Sequence, residues 1–248
     1  MYSLPTNDKG NQNKGFGELM AKFEVSEREG MRWVDIHIQH EMVRVESGAL
    51  CYLIGDIAVH SKLVPSFGGM IRSLMADESV YRPTYTGTGI ITLESSLGGF
   101  HAFRLRGESW ILERGTYWAS EGAIEVKFHR ERTLTSLWAG EGLVYLQTKV
   151  SGYGQVVLTT RGPVEELTLQ PDQEFVAEGN YVVCRTAEVG FCIRRPTKNF
   201  LGRFTSGEGF VRVFKGPGKL LITPTPYWRY YMMQLRMQNN DRPSRTTT

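Results

Sequence analysis

The chain has 248 residues, 41% of them hydrophobic and 22% charged, with a formal net charge of +3. This composition is ordinary for a soluble globular protein with a sizeable core. The segment from Tyr227 onward carries four arginines against one aspartate, which accounts for the whole net charge, so the body lacks the basic surface that general binding to duplex nucleic acid requires.

Membrane and redox signals in the sequence are weak. The sequence contains no run of 18 apolar residues, so it predicts no spanning helix. Residues 1–30 begin with a polar, glycine-rich lead that resembles neither a signal peptide nor an Arg-rich presequence. Cys51, Cys184 and Cys192 show neither CxxC nor disulfide spacing, which predicts small buried side chains in a reducing compartment.

The first thirty residues are predicted to be a flexible or accessory segment, within which 17–28 forms a short helix or an extra strand. From Met31 onward apolar residues alternate, with Val34, Ile36 and Ile38 on one face of a strand. His37 and His40 then point to opposite faces, so they do not predict a metal site.

Two glycine positions then predict turns. Val43 to Leu63 is interpreted as strands around a Ser47-Gly48 turn and a Gly55-Asp56 hairpin. The Gly-x-Gly sequences that begin at 87, 152 and 216 are likewise predicted to be turns between strands, because none continues into a phosphate-binding motif.

A repeat organises most of the chain. Glu78, Glu141 and Glu208 are 63 and 67 residues apart, and apolar residues precede each by seven and four positions. A second signature places Gly48, Gly115 and Gly179 at intervals of 67 and 64 residues. We therefore predict an all-β fold of three internal repeats of about 65 residues, built as antiparallel β-sandwich or double-stranded β-helix units. The repeats would cover about 31–98, 99–160 and 161–223.

The recurring glutamates lie in glycine-rich loops. No histidine, cysteine, serine or second carboxylate accompanies them at a fixed offset, so we interpret them as turn-stabilising residues rather than acids or bases. The predicted structural-turn residues are Glu78, Glu141, Glu208, Gly140, Gly142, Gly207 and Gly209. The sequence predicts no enzyme activity, cofactor or metal.

Residues 224–248 depart from the repeat and combine an aromatic, methionine-rich stretch with a polar tail that is predicted to be disordered. Aromatic residues, methionine and arginine are enriched in interface cores. The candidate partner-binding residues are Trp228, Tyr230, Tyr231, Met232 and Leu235. Packing on the protein's own sheet and peripheral membrane association are the alternatives.

Several stretches together resemble the altered-inheritance-of-mitochondria twenty-four family. They are VRVESGALCYL, GGMIRSLMADES, LWAGEGLVYLQTKVSGYGQVVL and FLGRFTSGEGFVRVFKGPGKLLI. The resemblance implies a fold related to the tryptophan RNA-binding attenuation protein, homo-oligomers, and a role linked in yeast with mitochondrial inner-membrane organisation. It also implies a cytoplasmic location for a bacterial protein and a mitochondrial one for a eukaryotic protein.

The sequence favours a non-enzymatic scaffold or assembly subunit that acts through protein partners or copies of itself, with a mitochondrial or membrane-associated complex as a candidate setting. The alternative is an RNA-binding module, by analogy with the attenuation protein. That alternative needs aromatic and basic residues on one sheet face, for which the candidates are Lys149, Tyr153, Phe214 and Lys215. A hydrolase is disfavoured because no nucleophile, base and orienting residue can be assembled.

Overall fold

The computed structural model describes residues 21–60, 82–131, 146–177, 180–194, 211–225, 227 and 232. In these ranges the strands are β1 (Lys22–Arg28), β2 (Met31–Val45), β3 (Leu50–His60), β4 (Thr84–Leu93), β5 (Gly99–Leu112), β6 (Tyr117–Glu121), β7 (Glu125–Arg130), β8 (Leu146–Thr160), β9 (Glu165–Leu169), β10 (Glu174–Ala177), β11 (Val182–Thr186), β12 (Gly190–Arg194), β13 (Val211–Lys215) and β14 (Gly218–Ile222). The pairings between these strands are antiparallel, which confirms the all-β prediction. Of the helix and strand options for 17–28, the described part has the strand, β1.

The strands form one eleven-stranded and one three-stranded sheet. The large sheet has the order β3-β4-β2-β6-β8-β5-β11-β14-β9, with β1 beside β2 and β7 beside β8, and the small sheet has the order β10-β13-β12. No helix in the described residues is long and apolar enough to cross a membrane.

The same three-strand pattern recurs along this order. β4 lies between β3 and β2, β8 lies between β6 and β5, and β14 lies between β11 and β9. In the last group the strands break at short turns, so β10, β12 and β13 continue as the small sheet. The three hydrophobic clusters are centred on β2 and β4, on β8, and on β13 and β14, and each of the first two also includes residues from the next group.

β2 shows how alternation positions the core. Val34, Ile36 and Ile38 are buried, as their spacing predicts. A β-bulge between Gln39 and Glu41 then shifts the register, and His40 inside it has a φ of 66°. Because the bulge adds one residue, burial moves from even to odd positions, and the remainder of β2 continues to face the core.

Two of the three predicted Gly signatures are turns of the same kind. Gly48 and Gly115 have φ values of 79° and 74°, which favours glycine at both positions. The amide of Ala49 donates to the Glu46 carbonyl at 3.1 Å, and the amide of Thr116 donates to the Glu113 carbonyl at 3.2 Å. The third signature includes Gly179, which lies outside the described residues.

The Gly-x-Gly sequence that begins at 216 joins β13 to β14, as predicted, but three other glycine predictions need correction. Gly55 lies inside β3, so the predicted Gly55-Asp56 hairpin is wrong. The Gly-x-Gly sequences at 87 and 152 lie inside β4 and β8, so they are not turns between strands. The physical reason is close backbone approach: a β-carbon on Gly87 or Gly89 would overlap a carbonyl oxygen of β3, and both residues have positive φ.

Candidate interaction surface

The predicted structural-turn residues lie outside the described part of the chain. They are Glu78, Glu141, Glu208, Gly140, Gly142, Gly207 and Gly209. Their role in stabilising turns stays a prediction.

Two other glutamates, Glu46 in the turn at Gly48 and Glu113 in the turn at Gly115, form junctions of polar contacts between the strand groups. The Arg82 guanidinium donates to the Glu46 carboxylate at 2.6 Å and to the Thr148 hydroxyl at 3.2 Å. It also lies 4.1 Å from the centroid of the Tyr117 ring, whose burial raises the pKa of the phenol to about 12. Arg82 therefore joins the turn that follows β2 to β8 of the second group.

The second junction centres on Glu113, which is 3% exposed. Its carboxylate accepts a hydrogen bond from the Gln147 amide at 2.8 Å, and the Arg212 guanidinium of β13 lies 3.4 Å away. Our sequence reasoning missed Glu46 and Glu113, although both occupy the second position of the repeated turn signature. Their buried basic and amide partners indicate a structural function for both carboxylates.

A cleft of about 360 Å³ opens beside the second junction. Its described lining includes two exposed arginines, Arg114 and Arg161, together with Thr116 and Thr159, and it contains neither histidine nor cysteine. The described residues as a whole contain no group of three His, Cys, Asp or Glu side chains that could hold a metal ion.

The candidate RNA-binding residues do not share one surface. Phe214 is completely buried between Phe175 and Phe191, so its ring is not available for stacking on a base. The prediction that Phe214 binds RNA is therefore wrong. The alternation of residues along its strand is equally compatible with a Phe214 side chain that faces the core. Lys149 and Tyr153 lie on β8 of the large sheet, whereas Lys215 lies on β13 of the small one.

The C-terminal candidates are mostly outside the described residues, namely Trp228, Tyr230, Tyr231 and Leu235. Met232 is described and is 49% exposed. Tyr227, just before them, packs on the body: its amide donates to the Arg161 carbonyl at 2.8 Å, and the Arg32 guanidinium lies 4.3 Å from its ring centroid. The partner-binding role of this segment stays a prediction.

The most distinctive exposed surface is the edge strand β3. It is the first strand of the large sheet and pairs only with β4 among the described strands. Its inward residues Leu53 and Ile57 pack against the first hydrophobic cluster. On the opposite face Tyr52 and Ile54 are 51% and 61% exposed, so the strand is apolar on both faces. We call the outward face of 50–60, together with its edge that pairs with no second described strand, the β3 edge.

The remaining strands with one described partner in the large sheet are β1, β7 and β9, and they have a different composition. They read KFEVSER, EVKFHR and EELTL, with charged residues at alternating or adjacent positions. β3 reads LCYLIGDIAVH, in which Asp56 is the single acidic or basic residue apart from the terminal His60. Charged side chains discourage pairing with another chain at an edge, so this protection is weakest at β3.

Sequence comparisons match most of the described fold to known proteins. A family described as "Mitochondrial biogenesis AIM24" matches residues 23–225. A protein of Streptococcus pyogenes serotype M6, which its name describes as uncharacterized, is 23% identical over 200 residues, or 76% of this chain and 79% of that protein.

A solved structure is also similar. The X-ray structure of a Streptococcus pyogenes protein has a TM-score of 0.65 and 20% sequence identity, and the match covers 88% of this chain and 99% of that one. At this identity the similarity shows a shared fold and does not transfer a function.

Proposed function

The chain belongs to the mitochondrial biogenesis AIM24 family, and from that premise we propose that it is a non-enzymatic scaffold or assembly subunit. It acts through protein–protein contacts, in a mitochondrial or membrane-associated complex if the source is a eukaryote and in the cytoplasm if it is a bacterium. The proposed role requires a recognition surface and no chemical step.

The observation that carries this proposal is the exposed, apolar β3 edge. Strand addition to a free sheet edge provides main-chain hydrogen bonds for affinity and outward side chains for selectivity. β3 is eleven residues long, whereas the mean strand has about five or six, and it presents Tyr52 and Ile54 to solvent. Such an edge would promote aggregation unless a specific partner covers it.

We also propose that the three strand groups are structural repeats of one unit. Their shared pairing order and the matching turns at Gly48 and Gly115 support this proposal. The attenuation-protein-like fold that the family resemblance implies is part of the same proposal. Since the edge strands of the groups differ in charge, a three-unit chain would offer distinct surfaces to distinct partners.

Affinity capture from a native extract of the source tests the function. Tagged wild type, Ile54→Lys and the control Leu97→Lys would be compared, because Leu97 is 66% exposed but lies outside β3. We expect the same proteins, or untagged copies of this chain, to be recovered in near-stoichiometric amounts with wild type and Leu97→Lys. We expect them to be lost with Ile54→Lys, without a change in melting temperature.

Recovery of no protein by any of the three forms would contradict the proposal. Equal recovery by Ile54→Lys and wild type would contradict the role of the β3 edge.

One observation favours the alternative, an RNA-binding module. Tyr153 is 71% exposed, lies over Gly107, and is paired with the exposed Arg106 across β5 and β8. However, nearby cations are matched by acids, since Lys127 lies 2.6 Å from Glu125. If RNA binding is the function, nucleic acid should co-purify with wild type, and Tyr153→Ala should weaken binding of single-stranded RNA whereas Ile54→Lys should not.

A further inference from the structure

We propose that the polar cleft beside the second junction binds a phosphate monoester, with Arg114 and Arg161 as the residues that hold the phosphate. This goes beyond the proposed function, because it concerns a surface other than the β3 edge. The cleft has a volume of about 360 Å³, and small-molecule sites have volumes of about 300–1,000 Å³. It opens where residues at the ends of β5 and β8 meet residues beside β11 and β14.

The cleft carries positive charge that the described residues do not neutralise. Arg114 and Arg161 are both exposed, and neither guanidinium pairs with a carboxylate among the described residues. The Glu113 carboxylate also lines the cleft, but its charge is compensated by the Arg212 guanidinium 3.4 Å away. Two positive charges therefore remain, which match the charge of about −1.5 to −2 on a phosphate monoester at pH 7.

The backbone around both arginines is held by hydrogen bonds in the absence of any ligand. Arg114 lies in a turn in which the amide and the hydroxyl of Thr116 donate to the Glu113 carbonyl at 3.2 Å and 2.8 Å. The Arg161 carbonyl accepts a hydrogen bond from the Tyr227 amide at 2.8 Å. Because these segments are already ordered, less conformational entropy is lost when a ligand binds.

Uncharged donors line the same cleft. Thr223 is 3% exposed, and its buried hydroxyl has no hydrogen-bond partner among the described residues. Buried hydroxyl groups are ordinarily hydrogen-bonded, and a phosphate oxygen bound next to Thr223 would supply the missing partner. The Asn180 side chain accepts a hydrogen bond from Arg212 through its oxygen, which leaves its amide hydrogens to donate to a ligand.

A phosphate monoester matches these donors better than a carboxylate does. Its three terminal oxygens can accept hydrogen bonds from two guanidinium groups and a hydroxyl at once. A carboxylate has two oxygens and a single negative charge. A cleft of this volume also has room for the organic part of a small ester.

Isothermal titration calorimetry on the full chain in a chloride buffer tests this site, with glycerol phosphate and inorganic phosphate as probes and glycerol as the uncharged control. We expect saturable binding of both phosphate compounds and none of glycerol. The two cleft variants, Arg114→Gln and Arg161→Gln, should each weaken binding by about tenfold or more, because each removes charge-assisted hydrogen bonds. The matched control is Arg106→Gln, since Arg106 is an exposed arginine of β5 that does not line the cleft.

Thr223→Val distinguishes ligand binding from folding, because it removes the hydroxyl and keeps the shape of the side chain. Since that hydroxyl has no partner among the described residues, the ligand-free variant should melt no lower than wild type. It should nevertheless bind glycerol phosphate more weakly by about threefold or more.

Flotation with phosphatidylcholine vesicles, with and without phosphatidic acid, distinguishes a lipid headgroup from a soluble ester as the source of the phosphate. Binding to phosphatidic acid vesicles alone, lost in both cleft variants, would support the site and identify the ester as a lipid. Absence of binding to the vesicles and to both soluble phosphate compounds overturns the proposal. So does binding that the cleft variants leave unchanged, or binding that Arg106→Gln weakens as much as they do. Circular dichroism would confirm that each variant is folded, which we expect for the arginine variants because these side chains are exposed.

Discussion

Gly89 of β4 packs directly against the backbone of Ile54 in β3, so closely that a β-carbon on Gly89 would overlap the Ile54 carbonyl oxygen. Gly89 also has a φ of 155°. The two strands can approach to form the β3 edge because no side chain lies between them. The position of Ile54 at the surface thus depends on a glycine in the neighbouring strand.

Gly89→Ala is therefore expected to destabilise the fold by about 2–4 kcal/mol, from backbone strain and from displacement of β3. The control is Gly48→Ala, where φ is also positive but the space for a β-carbon is open, so a cost of about 1 kcal/mol is expected. Denaturant unfolding of both variants would measure the difference. Equal costs would mean that close approach of the strands does not constrain residue 89.

Arg82→Ala should destabilise the protein by about 2–4 kcal/mol. The substitution leaves the Glu46 carboxylate without its 2.6 Å partner and removes the guanidinium from the Tyr117 ring. The estimate is below the cost of breaking a fully buried pair because the Glu46 side chain is 32% exposed.

The matched control for Arg82 is Lys219→Ala, which removes an exposed pair with Glu166 at 2.8 Å. Its expected cost is within about 0.5 kcal/mol. Urea unfolding would compare the two free energies of unfolding. A small effect of both substitutions would show that Arg82 does not hold the first two strand groups together.

His101 should make stability decrease as the pH falls. Burial lowers the pKa of this imidazole below its ordinary value of 6.5, and the Glu166 carboxylate opposes that shift only in part. At a pH between the pKa of His101 in the folded protein and its higher pKa in the unfolded chain, the unfolded chain binds a proton that the folded protein does not. Protonation of His101 therefore favours unfolding. The stability that the neutral His101 side chain contributes is therefore lost as the pH falls below about 6.5.

The measurement for His101 is thermal melting of wild type and His101→Gln between pH values of about 7 and 5. In both proteins the carboxylates contribute the same dependence of stability on pH. We expect wild type to lose more stability over this range than His101→Gln does. Parallel curves would contradict a depressed pKa at His101.

The cysteines should react in a fixed order. Cys51 is exposed on β3 and Cys192 is half-buried, so the prediction of buried side chains holds only for Cys184. Cys184 is completely buried, and burial raises the pKa of its thiol well above the ordinary value of 9.0. Because the thiolate is the reactive form, alkylation should modify Cys51 first and Cys184 only on unfolding. Mass spectrometry after timed alkylation would test this, and rapid modification of Cys184 in the folded protein would contradict its burial.

Local patterns in the sequence predicted the fold class and several strands correctly. The alternation at Val34, Ile36 and Ile38 predicted the buried face of β2, since burial on one side imposes a period of two. The sequence predicted a turn at Gly48, and in the structure Gly48 and Gly115 of the same repeated signature both have positive φ. Such features depend on a few neighbouring residues, which is why they can be read without a structure.

Features that depend on distant strands were missed or misread. Gly55 suggested a hairpin because glycine favours turns, yet it lies opposite Gly89 in a close strand contact. β3 is apolar on both faces, which is typical of a buried central strand, and only the sheet order shows that it lies at an edge. The exposure of Tyr52 and Ile54, and with it the candidate site, follows from topology rather than from local composition.

The most direct test of the account is hydrogen–deuterium exchange at the backbone amides of 50–60. It would be measured on the purified full chain across dilution and on any captured complex, with 165–169 of the charged edge strand β9 as the internal control. If the β3 edge is the contact surface, protection in 50–60 should rise with concentration or in the complex for wild type, should not rise for Ile54→Lys, and should stay constant in 165–169. Unchanged, rapid exchange in 50–60 under all of these conditions would contradict the claim that β3 contacts a partner.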